Sequence, residues 1–379
     1  MLNRRTLRVK AMQMVYAYKQ GINSNLNIAK QNIDEAFAPD LNSMEVQDPI
    51  KLQKQKKEAL ELFSKNYLNP SAKISEGTIP AINEAANKAI AFYHKENENE
   101  FLTAKKNMVQ QAEKIHDWFI LTMELLKEFG GMAAKERKID ASHFVNNLLI
   151  VAITENQQLE SVSLKKNLNW KNEPDQIKEW YNSLVKKDEE YLDYISKSET
   201  TTEQDVEIVN HIARKVIFKA DVIDKFFEEK DINWSEDKPI VRSLVLKSLK
   251  SITEENKSLT LAELSYNWEE DSEFFTDLFG FTVKLDQKYG QLIASRAKNW
   301  DIDRLAVTDR VIIEMAMAEM IHFKSIPVKV TINEYIELAK KYSTPKSKIF
   351  INGILDAISE DLKTEGEIKK TGRGLLDNK

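Results

Sequence analysis

The stretch IPVKVTINEYIELAKKYSTPKSKIFINGILDAI, residues 326–358, decides how the rest of the chain is read. Its apolar residues recur at helical spacing on both sides of a short polar break, which predicts two amphipathic helices joined by a turn. Pro327 stops the preceding segment, and Thr331 and Glu334 stand in the T-x-x-E spacing of a capping box, so a new helix start is expected there. Ile332, Tyr335, Ile336 and Ala339 supply the buried face of that helix. In the next one the stripe is Ile351, Ile354, Leu355, Ile358 and Leu362.

Two residues of the last helix stand apart from its stripe. Counting about 100° per residue, Phe350 lies roughly 100° from the stripe's centre, and Lys346 and Gly353 fall on the same side as Phe350. A glycine inside a helix costs about 1 kcal/mol relative to alanine. A lysine, an aromatic ring and a bare backbone patch on one face resemble a platform on which unpaired bases stack. The same geometry also allows Phe350 to pack on a neighbouring helix and Gly353 to permit a tight helix crossing. Helix periodicity leaves both readings open.

Upstream, DRVIIEMAMAEMIHF (309–323) is apolar nearly all round, with Glu314 and Glu319 the main exceptions, and belongs at the centre of a bundle. Residues 274–297 read as one helix. At the other end, residues 5–19 read as a helix with Leu7, Ala11, Met14, Val15 and Tyr18 buried. Its flank carries Arg5, Arg8, Met12, Tyr16 and Lys19, a basic edge containing an aromatic.

From Gly21 to about Glu100 the pattern fades, and short helices joined by loops are expected, with prolines at 39, 49, 70 and 80 interrupting any long helix. A long helix is expected at 101–129, broken by GGMAAKERKIDAS, followed by helices at 143–153, 174–195, 203–229 and 238–251. NWSEDK (233–238) and NWDIDR (299–304) form a faint echo, and two related helical units would account for it.

Totals agree with an all-α chain. The 379 residues are 42 % hydrophobic and 30 % charged, with only 10 Gly and 8 Pro, too few for a turn-rich β fold. Cysteine is absent, which excludes disulfides and thiol nucleophiles and fits a reducing cytoplasm. No apolar run is long enough for a bilayer, and the N-terminus lacks a signal-type apolar region, so no membrane association is expected. The net charge of −5 hides an asymmetry: Met1 to Lys30 holds six basic residues and no acid, and Lys324 to Phe350 holds six lysines against Glu334 and Glu337. Basic ends on an acidic body point to a localised anion-binding surface, although lysines also serve simply to solvate helix faces.

The ordered motif in 326–358 resembles the C-terminal signature of the NusB transcription antitermination factors, P-x-K-V-x-I-N-E-x-x-E-L-A-K, a short loop with a serine, then F-V-N-G-V-L-D. It is matched by Pro327, Lys329, Val330, Ile332, Asn333, Glu334, Glu337, Leu338, Ala339, Lys340, Ser347, Phe350, Asn352, Gly353, Leu355 and Asp356. TDRVIIEMAMAEM is similar to the family's preceding central helix. RRTLRVKAMQMVYAY resembles its first helix through Arg4, Arg5, Arg8, Ala11, Gln13 and Tyr16. The likeness covers about residues 3–20 and 272–362.

The resemblance implies an all-helical protein built of NusB-like bundles. It divides the chain into a first helix (1–20), a lineage-specific helical insertion (21–268), a NusB-like C-terminal helical domain (269–363) and a flexible tail (364–379). It implies a cytoplasmic, bacterial, non-catalytic factor that binds boxA-type ribosomal RNA leader sequence together with the ribosomal protein NusE. The complex would act with RNA polymerase to read through terminators. Carried over by position, the RNA surface comprises Arg4, Arg5, Arg8, Lys346, Ser347 and Phe350, to which the helix reading adds Gly353. Three positions depart from the family: Lys346 where an acid is frequent, Glu314 where a base is usual, and Ala318 in place of an aromatic.

Two other classes compete with this reading. NusB-like domains also occur in ribosomal-RNA cytosine methyltransferases, but that chemistry needs a nucleophilic cysteine and a Gly-rich cofactor turn, and neither is present. The five histidines (94, 116, 143, 211, 322) lack metal-ligand spacing, there is no G-x-S-x-G, and D-I-D at 301–303 reads as a helix start. No catalytic residue, metal, cofactor or small-molecule substrate is therefore expected. A helical scaffold that binds only protein remains as the other reading; the basic, acid-free N-terminal flank argues against it.

Overall fold

The computed structural model describes residues 2–40, 42, 46–75, 79–253, 255–285, 287–296 and 306–378, and among these it is helical with no strand. In chain order the α-helices are α1 (Arg4–Ala36), α2 (Pro49–Asn66), α3 (Pro80–Ala134), α4 (Ser142–Val145), α5 (Leu148–Thr154) and α6 (Gln157–Lys166). They continue with α7 (Pro174–Ser183), α8 (Glu189–Ile195), α9 (Thr202–His211), α10 (Asp221–Lys230) and α11 (Trp234–Leu249). The last are α12 (Trp268–Val283), α13 (Gln287–Arg296), α14 (Val307–His322), α15 (Val328–Tyr342) and α16 (Ser347–Thr364). The chain divides into two compact units, one of Met1–Arg4 with Gln110–Asp271, the other of Arg5–Val109 with Ser272–Lys379. The region set out above as one insertion, 21–268, is thus shared between them.

In the second unit α14 is the axis. Val311 to Met320 are all buried, as the all-round apolar pattern predicts. α15 and α16 pack on it and on each other, and the expected stripe of α16, from Ile351 to Leu362, is buried throughout. α15 begins earlier than its sequence suggests. Pro327, with φ −60° and ψ 145°, is the N-cap, and its carbonyl accepts the Thr331 N–H at 3.0 Å. Thr331 is therefore inside the helix and buried, and the expected capping box does not form. The single helix expected at 274–297 is instead α12 and α13. The NWDIDR half of the echo and the D-I-D at 301–303 lie outside the described residues.

α1 runs through Gly21 to Ala36, well past the expected end. Its second half, α2 and the first half of α3 share a core of Ala29, Ile33, Phe37, Ala59, Phe63, Ile82, Ala89 and Ile90. Packing against two neighbours sustains a helix whose own sequence periodicity is weak. The prolines act as foreseen: Pro49 and Pro80 open α2 and α3. KENENE does not break the chain; it lies inside α3, where Asn97 accepts from Asn25 at 3.0 Å.

In the first unit, the Gly130–Gly131 pair expected to end a helix lies within α3. A Cβ on Gly130 would come within 2.5 Å of Ile150 Cγ2, so the glycine admits α5 to close contact. The helix expected at 143–153 is split at Asn147. Its buried side chain caps α5 by accepting from Leu149 N–H and Ile150 N–H, and donates to Tyr194 Oη at 2.9 Å. Aromatic packing fills the interior, with Phe227 stacked on Trp234 at 4.3 Å and Trp118 edge-on to both.

The segment after α16, set out as a flexible tail, is hydrogen-bonded to the end of α14. Thr371 N–H donates to Lys324 O at 3.0 Å and Lys370 Nζ to Phe323 O at 2.9 Å. A Cβ at Gly374 would fall 2.0 Å from Lys324 O, so only glycine fits this approach.

Candidate nucleic-acid interface

The N-terminal turn of α16 is set by the loop before it. Ser347 N–H donates to Thr344 O at 3.0 Å, and the two hydroxyls, Thr344 Oγ1 and Ser347 Oγ, are 2.8 Å apart. Ser343 Oγ donates to the buried carboxylate of Asp309 at the start of α14. These bonds hold Ser347 inside, 4 % exposed, and leave Lys346 pointing outward as the residue before the helix. The two neighbours expected to act together on RNA thus differ: Lys346 faces solvent and Ser347 fixes the turn.

Lys346, Phe350 and Gly353 follow one another at i, i+4 and i+7, so they share a face, with the exposed Ile349 beside them. Among the described residues Lys346 has no acidic partner. Phe350 is half-buried. Nothing lies within 4 Å of a Cβ built on Gly353. That excludes the close helix crossing as the reason for this glycine and leaves an open strip of backbone.

The arginines of α1 have different fates. Arg4, in the other unit, is paired with Glu270. Arg5 is exposed and makes two bonds to Glu334, Nε at 2.9 Å and Nη2 at 2.8 Å. That bond holds the Glu334 carboxyl below its ordinary value, against the opposing effect of burial and with help from Arg8.

Arg8 is the correction. It was expected on an exposed basic edge, and it is 3 % exposed, with Met12 also buried. Its Nε and Nη2 reach Glu319 at 2.7 and 2.8 Å, and the guanidinium stands 5.5 Å from the centre of the Phe274 ring. The same carboxylate accepts from Thr331 Oγ1 at 2.9 Å and Tyr335 Oη at 3.1 Å. Burial disfavours the charge on Arg8, but the Glu319 hydrogen bonds and charge outweigh it and raise its affinity for the proton. Burial, followed by the Glu319 charge, also pushes the Tyr335 hydroxyl well above its usual value. With four donors on one carboxylate this is a satisfied interior network, and its cation is spent on the fold.

Sequence reading missed that pairing, although a signal was present. Glu319 is an acid on a helix with no exposed face, so it demands a buried cation, and the α1 arginines are the obvious supply. Glu314 shows the same logic. It takes Lys19 Nζ at 2.6 Å and Arg310 Nε at 2.9 Å, so the departure from a basic residue there is balanced by local cations. Ala318 is fully buried within α14.

Among the described residues no helix is long and apolar enough to cross a membrane. The sequence pattern of the NusB family matches residues 239–360. Three proteins, each named "Transcription antitermination protein NusB", show the extent of similarity. The one from Salinibacter ruber is 44 % identical over 104 residues, 27 % of this chain and 65 % of that protein. The one from Chloroherpeton thalassium is 42 % identical over 105 residues, 28 % of this chain and 50 % of that protein. The one from Koribacter versatilis is 39 % identical over 101 residues, 27 % of this chain and 69 % of that protein. The chain therefore spans 65 % and 50 % of the length of the first two. No solved structure matches the chain. With 39 % identity across 69 % of the Koribacter protein, and the signature residues seated on α1, α14, α15 and α16, the chain belongs to the NusB family.

Proposed function

We propose that this protein is a non-enzymatic transcription antitermination factor whose RNA surface is the outer face of α16. The observation that carries the reading is the face itself: Lys346 exposed without an acidic partner among the described residues, Phe350 four residues on, and open space over Gly353. The lysine supplies salt-dependent phosphate attraction, the ring a stacking surface, and the glycine room for a strand to approach. Arg5, with its guanidinium at the surface, is the α1 residue best placed to add charge; Arg4 is carried over from the family pattern alone. Arg8 and Ser347 hold the scaffold.

By family likeness the ligand is a boxA-type ribosomal RNA leader, the protein partner is the ribosomal protein NusE, and the assembly works on RNA polymerase in the cytoplasm. The NusB-like part would be assembled from α1 and α12–α16 with the second part of α11, from Pro239 on. The helices between α1 and α11 would be an addition particular to long members. A titration of boxA-like against scrambled RNA, with and without NusE, tests this. Preference for boxA and affinity falling steeply with salt are expected. Equal binding of both RNAs, or no change in affinity with Lys346→Glu and Phe350→Ala, would remove the proposed surface.

A further inference from the structure

The first unit contains a second cationic surface, far along the sequence from α16. α11 runs Trp234–Leu249, and Arg242, Lys247 and the following Lys250 lie on its exposed side. Arg214 joins them from a separate element, the π-helical turn Ile212–Ile217, which packs on α11. Such turns are rare and are frequent at functional sites. These four cations line an open groove of about 560 Å³ with Leu246 in it, and no carboxylate lines it.

Several other cations of this unit are paired with acids. Lys114 reaches Asp231, Lys166 reaches Asp117, and Lys238 and Lys186 contact Asp224 and Glu136. In the groove, Arg214, Arg242 and Lys250 have no acidic partner among the described residues. Three unpaired cations converging from two elements are more than the solvation of one helix face requires.

A second feature decides the kind of anion. Lys247 Nζ stands 5.6 Å from the centre of the Tyr266 ring, and that ring is 85 % exposed. Glu270 is engaged by Arg4, and Asp271 by Ser265 Oγ at 2.6 Å. A large exposed aromatic held beside a row of cations offers stacking as well as charge. An acidic peptide would use the charge and leave the ring idle. A single nucleic-acid strand uses both, phosphates on the groove and a base on the ring.

We propose that the groove of Arg214, Arg242, Lys247 and Lys250, with Tyr266 at its edge, is a second site for single-stranded RNA. It is independent of α16 in its residues, and it rests on the RNA-binding reading only in the choice of RNA over DNA. It gives the face formed by α11 and the π turn a binding role of its own. Because its features are charge and one stacking ring, it would accept strands with little regard to sequence.

The test uses the full chain and a fluorescent single-stranded 12-mer RNA without a boxA sequence, alongside the DNA of the same sequence and a polyglutamate peptide. The double variant Arg242→Glu, Lys250→Glu is expected to weaken RNA binding at least tenfold. It should also flatten the slope of log affinity against log salt by about 1.4 if each charge meets one phosphate of a single strand. Tyr266→Ala should weaken binding several-fold with the salt slope unchanged, and Tyr266→Phe should restore it. Thio-uridine crosslinking should label the peptide containing Tyr266. All these positions are exposed, and an unchanged melting temperature confirms that each variant is folded.

Unchanged affinity and slope in the double variant overturn the proposal. If binding is then abolished by Lys346→Glu with Phe350→Ala, the α16 reading survives alone. Failure of the unaltered chain to bind any RNA defeats both. Tighter binding of polyglutamate or of the DNA than of the RNA reassigns the groove and overturns the proposal as stated.

Discussion

Arg8 and Lys346 are both basic residues in the NusB-like motif, and their surroundings give them opposite uses. Arg8 lies among α1, α14 and α15 with its guanidinium on Glu319, itself fully buried. Lys346 lies at the mouth of α16, in solvent, with an aromatic and a bare glycine along the same face. The interior cation is tied by four donors converging on one carboxylate and contributes to a defined core. The exposed one has no acidic partner among the described residues and stands open to solvent. Positive charge near a motif is therefore ambiguous until burial is known.

Breaking the interior side should produce the largest effect. Glu319→Ala leaves a buried arginine without its partner and should cost about 3–5 kcal/mol in chemical denaturation. Replacing Arg8 and Glu319 together by methionine and leucine should recover most of that loss, because the desolvation of both charges disappears as well. If Glu319→Ala is as stable as the parent, the network is not what holds α1 against α14 and α15.

On the exposed side, Lys346→Glu with Phe350→Ala should lower boxA RNA affinity by about 10- to 100-fold, since one stacked base alone accounts for about 1–3 kcal/mol. Lys346→Glu alone should change stability by no more than about 0.5 kcal/mol if the charge is truly at the surface. A large loss of stability in the double variant with binding retained would move Phe350 from the ligand face to the core.

Gly353→Ala sharpens the contrast within one helix. The new methyl meets nothing within 4 Å, so thermal unfolding should rise by the equivalent of about 1 kcal/mol. RNA affinity should fall at the same time. A variant that is more stable and binds equally well would show that no ligand approaches this backbone.

The smallest effect belongs to Arg5 and Glu334, which stand between the two extremes. The folded carboxyl titrates below its ordinary 4.5. Its contribution is therefore complete above that pH and is lost as pH falls through the folded value. Comparing the parent with Arg5→Gln by denaturation across pH 3–7 should give a difference below about 1 kcal/mol that vanishes only at the acid end. A difference that grows as pH falls would reverse the assigned sign.

Helix periodicity carried much of the architecture. It made α14 the axis because residues 311–320 have no polar face, and it placed the stripe of α16 correctly, because burial of one helix side is a local, repeating demand. It failed where a neighbour decides. Gly21, KENENE and Gly130–Gly131 look like breaks, yet α1 and α3 continue through them because facing helices bury their sides and, at Gly130, need the missing side chain. Asn147 looks like an ordinary helix residue and becomes a cap only because Tyr194 and Asp205 meet it from other elements.

By itself, then, the sequence determined an all-helical chain, its family, and a cationic, aromatic face on the last helix. Composition, periodicity and an ordered motif are properties of the covalent string. Tertiary structure decided which charges are free. Arg8 and Ser347 went inward because Glu319 and Thr344 complete their hydrogen bonds there. Arg214 came beside Arg242 because a π turn packs on α11, a juxtaposition of residues 28 positions apart that no local pattern encodes.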